Sequence, residues 1–236
     1  MKRLLPFLII LPCFCMAQNA VIVYRTKNEL TVGTNTFQIA PSYTKLAIPE
    51  SFIKEGKYYF VTTGMVDKKT ITAAKESCRQ GKTLTDVINL FKEKRTASFA
   101  DDMYQAKNTK TDIYKSSLQN KYVFSILFFT VENDTPRAAK IEFYVKDKIN
   151  GGVSIELNVH RIPGKNPDAS SVLTLGQRDA FNSKELFNDA MHSDPAKEIE
   201  RLLRKQINNK PGGSQFPIHI IQIKGGKATT LPEIYS

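Results

Sequence analysis

Hydrophobic and polar residues alternate most regularly between Tyr122 and His160, and that alternation predicts three consecutive antiparallel strands joined by short turns. The first strand, Tyr122–Val131, is apolar on both faces, which calls for a central position or a cover of helices. In the second, Ile141, Phe143 and Val145 oppose Lys140, Glu142, Tyr144 and Lys146. In the third, Val153, Ile155, Leu157 and Val159 oppose Ser154, Glu156, Asn158 and His160. The turns are set by composition: Asn133-Asp134 with Pro136 in one, Asn150-Gly151-Gly152 in the other. A last strand over Pro217–Ile223, again apolar on both sides, is expected to insert beside this meander.

Before the meander the period changes. Residues 18–66 read as short strands: Val21–Tyr24, Leu30–Val32, a tight turn at Gly33-Thr34-Asn35 into Phe37–Ile39, an edge piece at Leu46–Ile48 and Lys57–Thr62. Helices follow. Asp67 caps a helix that runs to Gln80 and stops at Gly81. Thr83 with Asp86 forms a capping box, in which each side chain satisfies one end N–H, and it opens a helix with Leu84, Val87, Ile88 and Phe91 on its buried stripe. A third helix is expected over Phe99–Lys107, and one helical turn over Asp112–Leu118. After the meander, helices are expected over Ser183–His192 and from Asp194-Pro195 onward, with Ile199, Leu202, Leu203 and Ile207 inward. The fold class that results is α+β: an antiparallel β-meander sheet with helices packed on it, plus a β-rich N-terminal portion. The organisation is residues 1–17, residues 18–66, which are a separate portion or part of the main sheet, and an α+β domain over 67–236.

Residues 1–17 stand apart. Lys2-Arg3, an apolar run over Leu4–Cys15 and the small-x-small site Cys15-Met16-Ala17 have the form of a cleaved secretory signal, too short to span a bilayer. Pro12 before Cys13 and Phe14 before Cys15 do not suit a lipid-modified cysteine. Export to a periplasm or to the medium, without a transmembrane anchor after cleavage, is therefore expected. Cleavage leaves Cys78 as the only cysteine, so no internal disulfide can form.

The formal net charge is +11, and the excess is concentrated: residues 68–120 carry eleven basic and six acidic side chains. Such a chain can meet anionic polymers or acidic partner proteins. An exported protein meets little nucleic acid, so a protein partner or an anionic envelope polymer is the expected ligand. The stretch before the meander interleaves tyrosines with lysines: Tyr104, Lys107, Lys110, Tyr114, Lys115 and Lys121 are the candidate binding residues, lysines for anionic groups and tyrosines for stacking.

Catalytic patterns are missing. Cys78 falls on the apolar stripe of a predicted helix, the place of a buried structural thiol. His160, His192 and His219 have no metal-ligand spacing, and no metal or cofactor is expected. Asp101 and Asp102 diverge on a helix, where they complement the dipole at its start, and Glu142 and Glu156 are matched by lysines across strands. The glycine pairs fit no phosphate loop. The expectation is an exported non-enzymatic protein, a periplasmic binding or assembly component of a bacterial envelope or secretion system. A secreted hydrolase with an unrecognised site and a secreted effector are the alternatives. Intact-mass measurement on the exported protein should find Gln18 at the N-terminus; retention of Met1 would remove the basis for export.

Overall fold

The computed structural model describes residues 19–36, 51–164, 166–176, 180–209 and 215–235. The expected signal segment, the expected strand at Phe37–Ile39 and the expected edge piece at Leu46–Ile48 lie outside these residues. Among the described residues there are two five-stranded antiparallel sheets, packed face to face, with helices on both outer sides.

The first sheet contains β1 (Ala20–Arg25), β2 (Glu29–Thr36), β8 (Ser171–Gly176), β9 (Gln215–Lys224) and β10 (Lys227–Thr230), in the order β10-β9-β2-β1-β8. The second contains β3 (Ile53–Glu55), β4 (Tyr58–Gly64), β5 (Tyr122–Glu132), β6 (Thr135–Asp147) and β7 (Val153–Ile162), ordered as in the chain. The N-terminal β-rich portion thus supplies strands to both sheets. The meander β5-β6-β7 forms as its alternation predicts, with Ile141 opposite Val159 and Phe143 opposite Leu157.

Two expectations are corrected. β9 does not join the meander; it pairs with β2 and β10 in the other sheet, with Val32 opposite Ile221. Its apolar character on both faces is met by α6 on one side and by the second sheet on the other. The face of the meander that carries Lys140 and Glu142 is covered by the first sheet on β6, whereas Glu156, Asn158 and His160 on the edge strand β7 stay exposed to water. Lys140 is 8% exposed and donates to the Thr174 carbonyl of β8 at 3.3 Å. There is also no turn at Gly33. β2 runs straight through it, and the glycine makes room for a helix: an added Cβ would stand 2.3 Å from Ile199 Cγ2 and 3.2 Å from Leu203 Cδ1.

On the outer side of the second sheet lie α1 (Lys68–Gln80) and α2 (Leu84–Thr109). Both begin as expected: the Asp67 carboxylate accepts from the Thr70 N–H at 2.7 Å, and Thr83 with Asp86 completes its capping box. Gly81 ends α1 at φ −73, an ordinary backbone angle, and is required instead by Val87, whose Cγ2 would lie 2.5 Å from a Cβ. α2 is one helix through Thr109, so the helix predicted over Phe99–Lys107 is its second half, and Asp101 and Asp102 sit far from a helix start. What holds α2 in register with α1 is Arg95. This fully buried guanidinium donates to Asp67 at 2.7 Å, Asp102 at 3.1 Å, the Thr70 hydroxyl at 2.8 Å and the Ser98 hydroxyl at 2.9 Å. A buried charge persists only when so matched. A further tie comes from Glu132 at the end of β5, whose carboxylate accepts from the Leu84 N–H at the positive end of α2.

After α2 the chain makes a short helix α3 (Thr111–Ile113) and one π-helical turn over Tyr114–Leu118. On the outer side of the first sheet, the helix expected over Ser183–His192 is two short ones, α4 (Ser183–Leu186) and α5 (Asp189–Ser193), each with its own asparagine cap, Asn182 and Asn188. α6 (Pro195–Asn209) follows, with Asp194 accepting from the Lys197 N–H at 3.2 Å. No helix among the described residues is long and apolar enough to cross a membrane.

Gly33→Ala is expected to lower unfolding stability by about 1–3 kcal/mol, because Ile199 must shift. Urea titration reads this as a lower midpoint, and Gly152→Ala, with 3.3 Å to its nearest neighbour, should cost less.

Candidate functional site

The lysine–tyrosine stretch is divided by the structure into a structural half and an exposed half. Tyr114 is buried at 1% and donates to Asp147 Oδ1 at 2.5 Å. Asp147 Oδ2 accepts from Gln119 at 2.7 Å and pairs with the Lys107 ammonium at 3.2 Å; that ammonium also donates to the Gly151 carbonyl at 3.0 Å and lies over the Tyr114 ring. These groups tie the π-helical turn and the end of α2 to the β6–β7 hairpin. The Tyr114 hydroxyl, followed by Lys107 and Gln119, holds the Asp147 carboxyl below its ordinary range, and burial raises the tyrosine. The remaining candidates face solvent: Tyr104 at 45% exposure on α2, Lys110 at its C-terminal cap, Lys115 on the π-helical turn, and Lys121, whose ammonium returns to the Ser116 carbonyl at 2.5 Å.

A concave site lies elsewhere, at one end of the sandwich where three hairpin turns converge. The β5–β6 turn is Asn133-Asp134 with φ of 49 and 59; the β9–β10 turn is Gly225-Gly226 with φ of 56 and 74; the β3–β4 turn has Gly56 at φ 61. Two-residue turns with both residues left-handed match the twist of their strands, and asparagine, aspartate and glycine adopt that angle most readily. Between the turns is a cleft of about 450 Å³. Tyr59, Val131, Ile223 and Ala228 line its apolar part; Lys54, Thr130, Asn133 and Asp134 supply polar groups. Tyr59 is half-buried, stacked on Phe129 at 5.3 Å between ring centroids, with the Lys54 ammonium 5.5 Å from its own ring centre. Lys57 is held aside, donating to the Lys82 carbonyl at 2.7 Å. An aromatic ring braced from behind, with a cation beside it and a carboxylate on the rim, can stack a sugar or aliphatic group and hold an anionic one.

Between the sheets, toward the opposite end, the core becomes polar. Ser125 shares hydrogen bonds with Tyr122 at 2.8 Å and Thr63 at 3.0 Å, and burial pushes the Tyr122 phenol up to about 12. Beside them Lys140 donates to Glu142 at 2.8 Å, and His160 Nε2 lies 3.5 Å from the other carboxylate oxygen of Glu142. Ser125 and Thr63 are enclosed, at 0% and 1% exposure.

Cys78 is buried on α1 and its thiol is pushed up to about 12, chiefly by that burial, so little thiolate forms near neutral pH. The histidines sit apart: His160 on β7, His219 on β9 of the other sheet, and His192 on α5, where its Nδ1 is 2.5 Å from the Tyr24 hydroxyl. Asp102 is bound by Arg95 and Lys69 rather than by a helix dipole. Glu156 pairs with Lys146 across strands at 3.4 Å, as expected, whereas the lysine of Glu142 is on its own strand. Among the described residues no group of three His, Cys, Asp or Glu is arranged to hold a metal ion.

Comparison with known proteins places the architecture. No family model and no curated protein matches the chain. Solved structures do match in fold. Anbu (ancestral beta-subunit) from Yersinia bercovieri superposes with a TM-score of 0.50 at 8% identity, over 89% of this chain and 86% of that one. Anbu from Hyphomicrobium sp. strain MC1 gives 0.48 at 11% identity, over 92% and 88%. The likeness to the Yersinia bercovieri protein is one of fold.

Tyr114→Phe should cost about 1 kcal/mol at neutral pH, the size of one hydrogen bond. Its acid dependence has a definite sign. A carboxyl depressed by folding adds stability above its unfolded pKa, near 4, and that stability is lost as pH falls through the folded value. The variant should therefore show a flatter loss of stability below about pH 4, measured by denaturant midpoints across pH.

Proposed function

We propose that this chain is an exported, non-enzymatic binding or assembly protein of a bacterial envelope or secretion system. The cleft at the turn end is its ligand site. One observation supports this above the others: Tyr59, stacked on Phe129, presents its ring at a concave surface with the Lys54 ammonium beside it. That pairing suits an anionic envelope polymer, a sugar ring on the tyrosine and a carboxylate or phosphate on the lysine, better than it suits an uncharged peptide. The exposed Tyr104, Lys110, Lys115 and Lys121 form a second cationic surface for the same polymer class. Export is supported by the sequence of residues 1–17.

A secreted hydrolase is the second reading, favoured by the Ser125, Tyr122 and Thr63 hydroxyls packed near Lys140 and Glu142. Serine-directed fluorophosphonate labelling that is lost in Ser125→Ala would establish it. The binding reading is tested by titrating the exported protein with a soluble polyuronate at low salt. Tyr59→Ala and Lys54→Gln should each weaken binding by about 1–2 kcal/mol, roughly five- to thirtyfold. Replacing Lys110, Lys115 and Lys121 by Gln should reduce mainly the salt-dependent part. Unchanged binding in both cleft variants would remove the cleft from the proposal.

A further inference from the structure

Each sheet of the sandwich leaves two strand edges: β3 and β7 on one, β8 and β10 on the other. Three of these are short, at 3, 6 and 4 residues for β3, β8 and β10. β7 differs. It runs for 10 residues, and its register with β6 is unbroken from Ala138 opposite Ile162 to Asp147 opposite Val153. A strand bonded on one side only turns a row of N–H and C=O groups outward, and among the described residues no other main-chain group bonds to that row. Proteins usually protect a long edge with lysine, proline or a bulge. β7 has no lysine, proline or bulge, and its charged side chains are Glu156 and Arg161.

We propose that β7 is the seam of a symmetric dimer, to which a second copy of this chain adds its own β7 antiparallel, with the two-fold axis at Asn158. The side-chain pattern selects this register. Ser154, Glu156, Asn158 and His160 share one face of the strand. With the axis at Asn158, Glu156 of each copy stands opposite His160 of the other, and the two Asn158 amides face each other. Each of these groups is already steered by a neighbour on its own chain: Glu156 lies 3.4 Å from Lys146, and His160 lies 3.5 Å from Glu142. Pairing joins them into a row, made twice, in which Glu156 lies between Lys146 and His160, and His160 lies between Glu156 and Glu142. On the other face, Leu157 meets Val159, both of them half-buried residues of the helix-covered core. Other registers lose this match. An axis at Glu156 sets two carboxylates opposite each other, an axis at Leu157 or Val159 separates every Glu156–His160 pair, and an odd shift mixes the two faces. The dimer has one continuous sheet running through β3 to β7 of both copies. This inference is independent of the cleft.

Sedimentation equilibrium of the exported protein should show a monomer–dimer transition between micromolar and millimolar concentration, weakened at least tenfold by Glu156→Lys. The register is read by cross-linking. Opposed residues have Cβ atoms about 4.5–5.5 Å apart, close enough for a disulfide after a small adjustment. Asn158→Cys should therefore form a covalent dimer under mild oxidation, whereas Ser154→Cys and Glu156→Cys should not. Cys78 is buried and does not compete. Unfolding midpoints check that each variant is folded. A monomer at every concentration, with no cross-link through residue 158, overturns the proposal. So does a dimer that cross-links through Glu156→Cys instead.

Discussion

The burial of β1 on both faces is the constraint from which the architecture follows. All six residues of Ala20–Arg25 are enclosed. Ala20, Ile22 and Tyr24 pack toward α6 through Leu202 and Leu203, while Val21 and Val23 pack against Val61, Leu127 and Phe129 of the second sheet. Such a strand requires a layer on each side, so neither sheet can be the solvent face of the other. The same constraint explains Arg25. At the end of β1 it is fully buried, and two of its nitrogens donate to main-chain carbonyls, Nε to Pro136 at 3.1 Å, where β6 begins, and Nη1 to Pro167 at 2.8 Å, in the loop before β8, while Nη2 is buried with no partner among the described residues. A charge in that position would be costly unless hydrogen-bonded, so it fixes how the two sheets meet at this end.

What the sequence makes legible is local. Alternation identifies β5, β6 and β7, and the caps at Asp67, Thr83 and Asp194 mark helix starts that the structure retains. What it leaves open is pairing across long separations. Pro217–Ile223 has the same apolar pattern whether it lies beside β7 or beside β2, because periodicity reports which faces are buried and not by what. Gly33 reads as a turn residue next to Thr34-Asn35, and only the approach of Ile199, far along the chain, shows that the missing Cβ is the reason for it. Arg95 follows Lys92 and Lys94 along the chain, a cluster that suits the dipole at a helix end and marks no buried role. Its role depends on Asp67 and Asp102, which converge on it only once α1 and α2 are packed.

The site shows the same division. Composition singled out Tyr104, Lys107, Lys110, Tyr114, Lys115 and Lys121 because tyrosine and lysine are interleaved there. It could not separate Tyr114 and Lys107, committed to Asp147 on a distant hairpin, from the exposed members. The turn-end cleft left no linear signal. Its residues come from three hairpins, at Gly56, Asn133-Asp134 and Gly225-Gly226, each an ordinary turn on its own. A signal that could have been used is the repetition of tight, left-handed turns in strands of similar length, since closing several hairpins at one end of a sandwich brings their tips together.

Polarity is distributed unevenly between the sheets. Near the cleft the inter-sheet layer is apolar, with Leu30, Val32, Val61, Phe129 and Ile223. Toward the other end it holds Asn19, Thr34, Thr63, Ser125 and Lys140, all buried. Asn19 donates to Thr34 at 3.2 Å and to the Thr62 carbonyl at 3.2 Å, and Thr63 bonds both Tyr122 and Ser125, so these groups form matched networks rather than isolated polar atoms. Matched networks give less stability than close-packed aliphatic side chains, but they impose directions that hydrocarbon does not. In a sandwich whose apolar half could slide by one strand pleat at modest cost, the polar half specifies which residue of one sheet lies over which residue of the other. Lys140, reaching from β6 to the Thr174 carbonyl of β8, is the direct instance. It fixes the sheets to each other at the end away from Arg25, so that two cations, one on each sheet, set the alignment between them.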